Sequence, residues 1–159
     1  MNKPETTIQD VRLESQEERD ALVVDLDRFL GKYSDPRPEM LEALEEARRS
    51  GFIFEAIDRS CGRVGIVVIT ATRFNTFQPY YHLAYIATSP EYRGRGAGKF
   101  LLSEALKRTD GNLALHVSPD NEAAVAFYER QGWKIKYLRM LPAALHASNQ
   151  SEDPAEGNS

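Results

Sequence analysis

The sequence predicts an α/β (α+β) domain built on a mixed, mostly antiparallel β-sheet flanked by helices. Three observations carry this. Two strand-like segments, 52–57 and 64–72, are joined by the turn Asp58-Arg59-Ser60-Cys61-Gly62, as in a hairpin. Two helical periodicities precede that hairpin, and strand-like and helical segments alternate after it. Hairpin-linked strands followed by a strand–helix–strand order imply a mixed sheet with helices on its faces.

Each element has its own signal. Residues 8–13, Ile-Gln-Asp-Val-Arg-Leu, are a short apolar–polar segment and a first strand. From Ser15 the period becomes helical, with Leu22, Val23, Leu26, Phe29 and Leu30 on one face and Gly31 as the stop. Asp35-Pro36-Arg37-Pro38 is a turn and a helix start, followed by Met40, Leu41, Leu44 and Ala47 up to Gly51. The run 42–49 reads as a solvated helix face with i,i+4 charge pairs. After the hairpin, a polar loop through Asn75 and Gln78-Pro79 leads into an aromatic strand, 80–88. Ser89-Pro90-Glu91 breaks that strand, and a glycine-rich loop enters a helix with Leu101, Leu102, Ala105 and Leu106 inward. Residues 112–117 read as a strand. Pro119-Asp120-Asn121 caps a short helix through Tyr128 that stops at Gly132, and 133–140 read as a last strand. From Ala143 on, Ser, Asn, Glu, Pro and Gly dominate, so the expectation is one domain over 1–142 and a disordered acidic tail over 143–159.

Composition limits the function. At 159 residues and 42% hydrophobic, the chain is long enough for one self-sufficient core. One cysteine, Cys61, excludes an internal disulfide and fits a reducing compartment. No apolar run spans a bilayer, and residues 1–7 lack the apolar centre of a signal peptide, so a cytoplasmic location without membrane association is expected. The net charge is −4, and Glu152, Asp153 and Glu156 in the tail account for most of it. The near-neutral body has no general attraction for nucleic acid, so an anionic ligand needs a local site. His82, His116 and His146 have no metal-ligand spacing, so no metal is expected. Cys61, in a turn with no histidine nearby in sequence, does not read as a nucleophile.

That local site is Arg93-Gly94-Arg95-Gly96-Ala97-Gly98-Lys99, between a strand and a helix. Glycines let the backbone turn tightly and come close to a ligand. The first amides of the helix are unpaired and lie at the positive end of its dipole, and Arg93, Arg95 and Lys99 add charge. This is the chemistry of a phosphate cradle, although glycines that only cap a helix produce the same pattern. A Walker loop fails, because Arg93 and Phe100 stand where Gly and Ser or Thr are needed. A dinucleotide fingerprint fails in both registers, at Lys99 and at Leu101.

The stretch 86–98, Ile-Ala-Thr-Ser-Pro-Glu-Tyr-Arg-Gly-Arg-Gly-Ala-Gly, resembles the acyl-CoA signature of the GNAT superfamily of N-acyltransferases, whose core (R/Q)-x-x-G-x-(G/A) is matched by Arg93, Gly96 and Gly98. Downstream, 121–133 is similar to the family segment N-x-x-A-x-x-F-Y-x-x-x-G-F, with Trp133 for the last Phe. The likeness follows element order over about 6–140 and is specific over 86–133. It implies splayed central strands and acetyl-CoA as cosubstrate. The CoA pyrophosphate would rest on the amides of Arg93, Gly94, Arg95, Gly96, Ala97, Gly98 and Lys99. The pantetheine arm would pair like an added strand with Ile86, Ala87 and Thr88. Asn121 matches the position that bonds pantetheine, and it also suits a plain helix cap. Tyr128 matches the tyrosine that protonates the departing thiolate; a core aromatic is the other reading, with Phe127 packing inward beside it.

The acceptor side departs from the family. Many members carry Glu or Asp on the strand before the signature, where this chain has Ala84 and Tyr85, and no carboxylate lies between Asp58 and Glu91. Glu55 and His82 are the candidate bases. Glu55 also reads as the polar face of a hairpin strand and His82 as a hydrogen-bonded structural residue, and a water chain alone would serve. Tyr33, Phe77 and Tyr81 are expected to line the acceptor pocket. The family also ends with a strand pair, where here Pro142 interrupts after one. Either the sheet is short or a partner subunit completes it, as in a homodimer. The leading expectation is an enzyme that transfers acetyl from acetyl-CoA to a primary amine of a small molecule or peptide by direct attack, with amides near Ile86 and Ala87 stabilising the oxyanion. The alternative is a non-catalytic acyl-CoA-binding or regulatory module on the same fold.

Overall fold

The structure is a computed structural model that describes residues 6–72 and 79–145. They fall into two compact units, Met1–Ser118 and Pro119–Ser159. The first unit carries a five-stranded sheet in the order β1-β2-β3-β4-β5. Its strands are β1 (Thr6–Asp10), β2 (Phe52–Asp58), β3 (Gly62–Ala71), β4 (Tyr81–Thr88) and β5 (Leu113–Leu115). Three ladders are antiparallel, and β4–β5 is parallel. The helices are α1 (Gln16–Leu30), α2 (Arg37–Ser50) and α3 (Ala97–Arg108).

Helix α1 begins where Ser15 and Glu18 form a reciprocal capping box, and ends at Gly31, whose φ of 60° suits glycine. Its periodic residues Leu22, Val23, Leu26 and Phe29 are buried together with Met40, Leu44 and Ala47 of α2. They pack on one sheet face against Ile53, Ile66, Val68 and Ala87. Each of these larger side chains stabilises the fold by roughly 1.5–3 kcal/mol through burial. Ion pairs from Glu45 to Arg48 and Arg49 lie along the outer face of α2, as the charge pattern predicts.

The opposite sheet face takes α3, through Leu101, Leu102 and Ala105. A Cβ on Gly65 of β3 would lie 2.5 Å from Leu101 Cδ1. Glycine there is what lets the helix seat on the sheet. The hairpin turn is organised by Asp58, whose Oδ1 accepts from the Ser60 amide and hydroxyl and from Cys61.

The second unit contains α4 (Glu122–Arg130), capped by Asn121. The expected strand over 133–140 is not formed. The segment alternates apolar and polar residues, but Ile135, Tyr137, Leu138 and Met140 are exposed and no strand is assigned there. Alternation describes a strand's faces, whereas its existence depends on a neighbouring backbone to bond. The strand expected over 112–117 is shortened to Leu113–Leu115, and the first strand begins at Thr6 rather than Ile8. The tail was expected from 143 on; residues 143–145 form a helical turn, and the rest lies outside the described residues.

Candidate active site

β4 is the element around which the site is built. It pairs with β3 along its whole length but with β5 only at Tyr81, His82 and Leu83. From Ala84 to Thr88 its second edge has no strand partner among the described residues. The two strands therefore part at mid-sheet and leave a row of backbone N–H and C=O groups available to an extended amide chain. Ile86, Ala87 and Thr88 lie on that edge.

The same strand contains a bulge that the sequence did not reveal. The register steps from Leu83↔Ile69 to Tyr85↔Val68, so Ala84 is the extra residue. Cross-strand partners share a face. Leu83 thus faces α3 with Ile69 and Phe52, whereas Tyr85 and Ala87 turn to the α1–α2 cluster. Without the extra residue Tyr85 would point the other way. As placed, its hydroxyl donates to Asp35 Oδ2 at 2.6 Å. Burial first, then the Asp35 hydrogen bond and charge, push the Tyr85 phenol well above its ordinary value. Asp35 is a carboxylate brought to β4 from a loop 50 positions away.

β4 runs into the turn Pro90–Tyr92 and then the glycine loop. Three contacts pin the loop's entry: the Tyr92 hydroxyl donates to Asp58, Arg28 pairs with Glu91, and Arg93 donates to the Phe29 carbonyl at 2.9 Å. Gly94 and Gly96 have φ of 77° and 82°, and Gly96 is the N-cap of α3. A Cβ at either would meet no atom within 4 Å, so the space beside them is open. Helices α1 and α4 have side-chain caps, whereas α2 and α3 have none. The first amides of α3, around Ala97, Gly98 and Lys99, therefore carry no side-chain cap at the positive end of the helix dipole. Arg95 lies over the Tyr92 ring at 4.8 Å and is exposed, as is Lys99.

Of the candidate bases, Glu55 is 5% exposed and has both oxygens engaged, one by Gln9 at 2.6 Å and the other by Arg63, which also pairs with Asp25. His82 pairs in register with Thr70 and Ala114, on the α1–α2 face of the sheet. Its ring is 4.8 Å from that of His116. Among the residues expected to line the acceptor pocket, Tyr33 is at the surface beside Lys32, and Tyr81 stacks with Phe52 and Tyr80. Phe77 lies outside the described residues.

In the second unit, Asn121 Oδ1 accepts from the Ala124 amide and caps α4. Tyr128 lies between the rings of Phe127, at 5.3 Å, and Trp133, at 5.7 Å. Burial pushes its phenol up to about 12, so it holds its proton at neutral pH.

Residues 16–133 match the family described as the acetyltransferase (GNAT) family. The chain belongs to that family. Among curated relatives, it is 35% identical over 82 residues to the N-alpha-acetyltransferase RimI of Mycobacterium tuberculosis, an alignment covering 47% of this chain and 52% of RimI. It is 27% identical over 99 residues to the peptidyl-lysine N-acetyltransferase YjaB of Salmonella typhimurium, covering 62% of this chain and 61% of YjaB. The chain thus spans only about half to three fifths of the length of these relatives. A solved structure of AAC(6')-Iy, in complex with the bisubstrate analogue CoA-S-monomethyl-acetylneamine, superposes with a TM-score of 0.62 at 16% identity, covering 86% of this chain and 96% of that one. At that identity the likeness concerns the GNAT fold. No helix among the described residues is long and apolar enough to cross a membrane.

Proposed function

We propose that this GNAT-family chain is an N-acetyltransferase that moves acetyl from acetyl-CoA to a primary amine of a small molecule or peptide. One observation carries the reading: the open edge of β4 over residues 84–88 leads directly into the uncapped amides of the glycine loop. An extended amide arm laid along that edge delivers a pyrophosphate to the helix start, which is the shape of a CoA molecule. Arg95 and Lys99 supply charge for its phosphates, and the likeness of residues 121–133 to the family segment assigns Asn121 and Phe127 to cofactor binding.

Amine and thioester meet where β4 and β5 part. Amides near Ile86 and Ala87 stabilise the oxyanion, and Tyr128, protonated at neutral pH, returns a proton to the CoA sulfur. For the base we favour His82 over Glu55. Glu55 lies on β2, which β3 separates from β4, and its carboxylate is committed to Arg63 of β3 and Gln9 of β1. Tyr33 contributes to the acceptor pocket on the α1–α2 face, beside which the Tyr85–Asp35 hydrogen bond holds the α1–α2 loop against β4, whereas Tyr81 lies with Phe52 on the opposite face. The names of RimI and YjaB favour α-amines and lysine side chains of peptides as first acceptors to try.

The test is acetyl-CoA consumption across a panel of peptides, lysine derivatives and small amines. Turnover with at least one acceptor, lost in Tyr128→Phe, is expected. Acetyl-CoA binding with no turnover on any amine would instead favour a binding module.

A further inference from the structure

β4 and β5 contain no carboxylate, yet two imidazoles stand side by side where these strands part. His82 is the central residue of the three-residue β4–β5 ladder, opposite Ala114. His116 follows immediately after β5, two positions beyond Ala114 and therefore on the same face. The ring centroids are 4.8 Å apart with the planes tilted by 49°. His82 is half-buried and His116 exposed, so the pair runs from the interior of the cleft to solvent. Of the charged residues of α1, Asp25 is engaged by Arg63, Asp27 by Ser34 and Arg28 by Glu91, and from α2 the Glu39 charge acts on Tyr85. Across β4 the neighbour of His82 is Thr70, and further along the face stands Tyr85 with Asp35.

We infer that His116 is the outer half of a two-histidine proton relay, taking from His82 the proton that the acceptor amine must lose and passing it to water. The inference rests on the acetyltransferase reading above. The proton count closes. A substrate ammonium carries three protons and the amide product keeps one. One leaves through His82 and His116 to bulk water. Tyr128 places its proton on the CoA thiolate, so free CoA leaves as the thiol, and the other amine proton restores the Tyr128 phenol through solvent. The C–N bond forms as the C–S bond breaks, and no further reactant is needed. Imidazole suits the role because one ring nitrogen can accept a proton while the other donates one, and the two rings lie side by side at a centroid separation of 4.8 Å. His116 acts through His82 and is a positioning and relay residue rather than one that touches substrate.

The experiment compares the wild type with His116→Ala, His116→Gln and His82→Ala, using an acceptor from the amine panel. Tm and the acetyl-CoA-induced Tm shift are recorded for every variant. His116 is exposed, so both His116 variants should fold and bind acetyl-CoA as the wild type does. Loss of the relay should lower kcat about ten-fold or more in both, with KM for acetyl-CoA unchanged, since glutamine keeps polarity and size but cannot accept a proton. Added free imidazole should restore much of the His116→Ala rate. A packing role predicts the opposite pattern: near-normal rate in His116→Gln and no response to imidazole. That pattern, or wild-type kcat in His116→Ala, overturns the relay and leaves the acetyltransferase reading standing. A wild type that binds acetyl-CoA but consumes none with any amine overturns that reading and the relay with it.

Discussion

Gly96 separates a phosphate cradle from a simple helix cap. It has φ of 82°, and a Cβ built on it meets no protein atom within 4 Å. Gly96→Val therefore has two separable effects. The backbone strain of a side chain in left-handed conformation costs about 1–2 kcal/mol or more for a β-branched residue. A protein of this length loses about 2–4 °C of Tm per kcal/mol, so the apo protein should melt roughly 2–8 °C lower. The second effect is on the ligand, because the valine methyls occupy the open space through which, on the proposed reading, a pyrophosphate would reach the amides of α3. Gly111 is the control. It has φ of 73°, an equally open Cβ position and a place in the turn after α3, away from the cradle. In differential scanning fluorimetry, acetyl-CoA at about 100 times its Kd should stabilise the wild type by about 2.7 kcal/mol, or roughly 5–11 °C. Gly111→Val should start lower but keep that shift. Gly96→Val should start lower and lose it. If Gly96→Val keeps the full shift, the loop is a helix cap and the cofactor lies elsewhere.

Gly65→Val should destabilise by about 1–3 kcal/mol in urea unfolding, because its side chain starts 2.5 Å from Leu101 Cδ1; an unchanged midpoint would show that α3 is not seated on that glycine. Tyr128→Phe should lower kcat by about 100-fold to 10,000-fold with little change in acetyl-CoA affinity, and an equal rate with chemistry rate-limiting would reduce Tyr128 to a packing residue between Phe127 and Trp133. Hydrogen bonds from the Ser60 hydroxyl first, then Tyr92, the Ser60 amide and Cys61, hold Asp58 well below its ordinary value of 3.8. A depressed carboxylate contributes stability that is present above 3.8 and lost as pH falls through the lower folded value, so Asp58→Asn should lower stability near neutrality and flatten the acid limb of a Tm–pH curve. A mutant curve parallel to the wild type down to the acid limit would contradict that role.

Local signals determined most of the elements. Ser15 with Glu18, Gly31, the apolar stripes of α1 and α2, the Asp58 turn and the glycine loop each act within a few residues, where capping, φ preference and periodicity are set by neighbours in sequence. The likeness to the GNAT family over 86–98 was legible for the same reason, since it is one continuous loop-to-helix segment. The tertiary structure decided everything that depends on a partner strand. The alternation over 133–140 predicted a strand that is not formed, because a strand needs another backbone to bond and no pattern within the segment supplies one. The extra residue at Ala84 turns Tyr85 onto Asp35, and it is visible only in register against β3. Glu55 reads as a candidate base in the sequence, and only the sheet brings Arg63 and Gln9, from flanking strands, onto both its oxygens. His82 and His116 are 34 positions apart in a chain where neither has a metal or catalytic spacing. Only the parallel ladder, which pairs β4 with β5 for three residues and then lets them part, puts the two rings together at the mouth of the cleft.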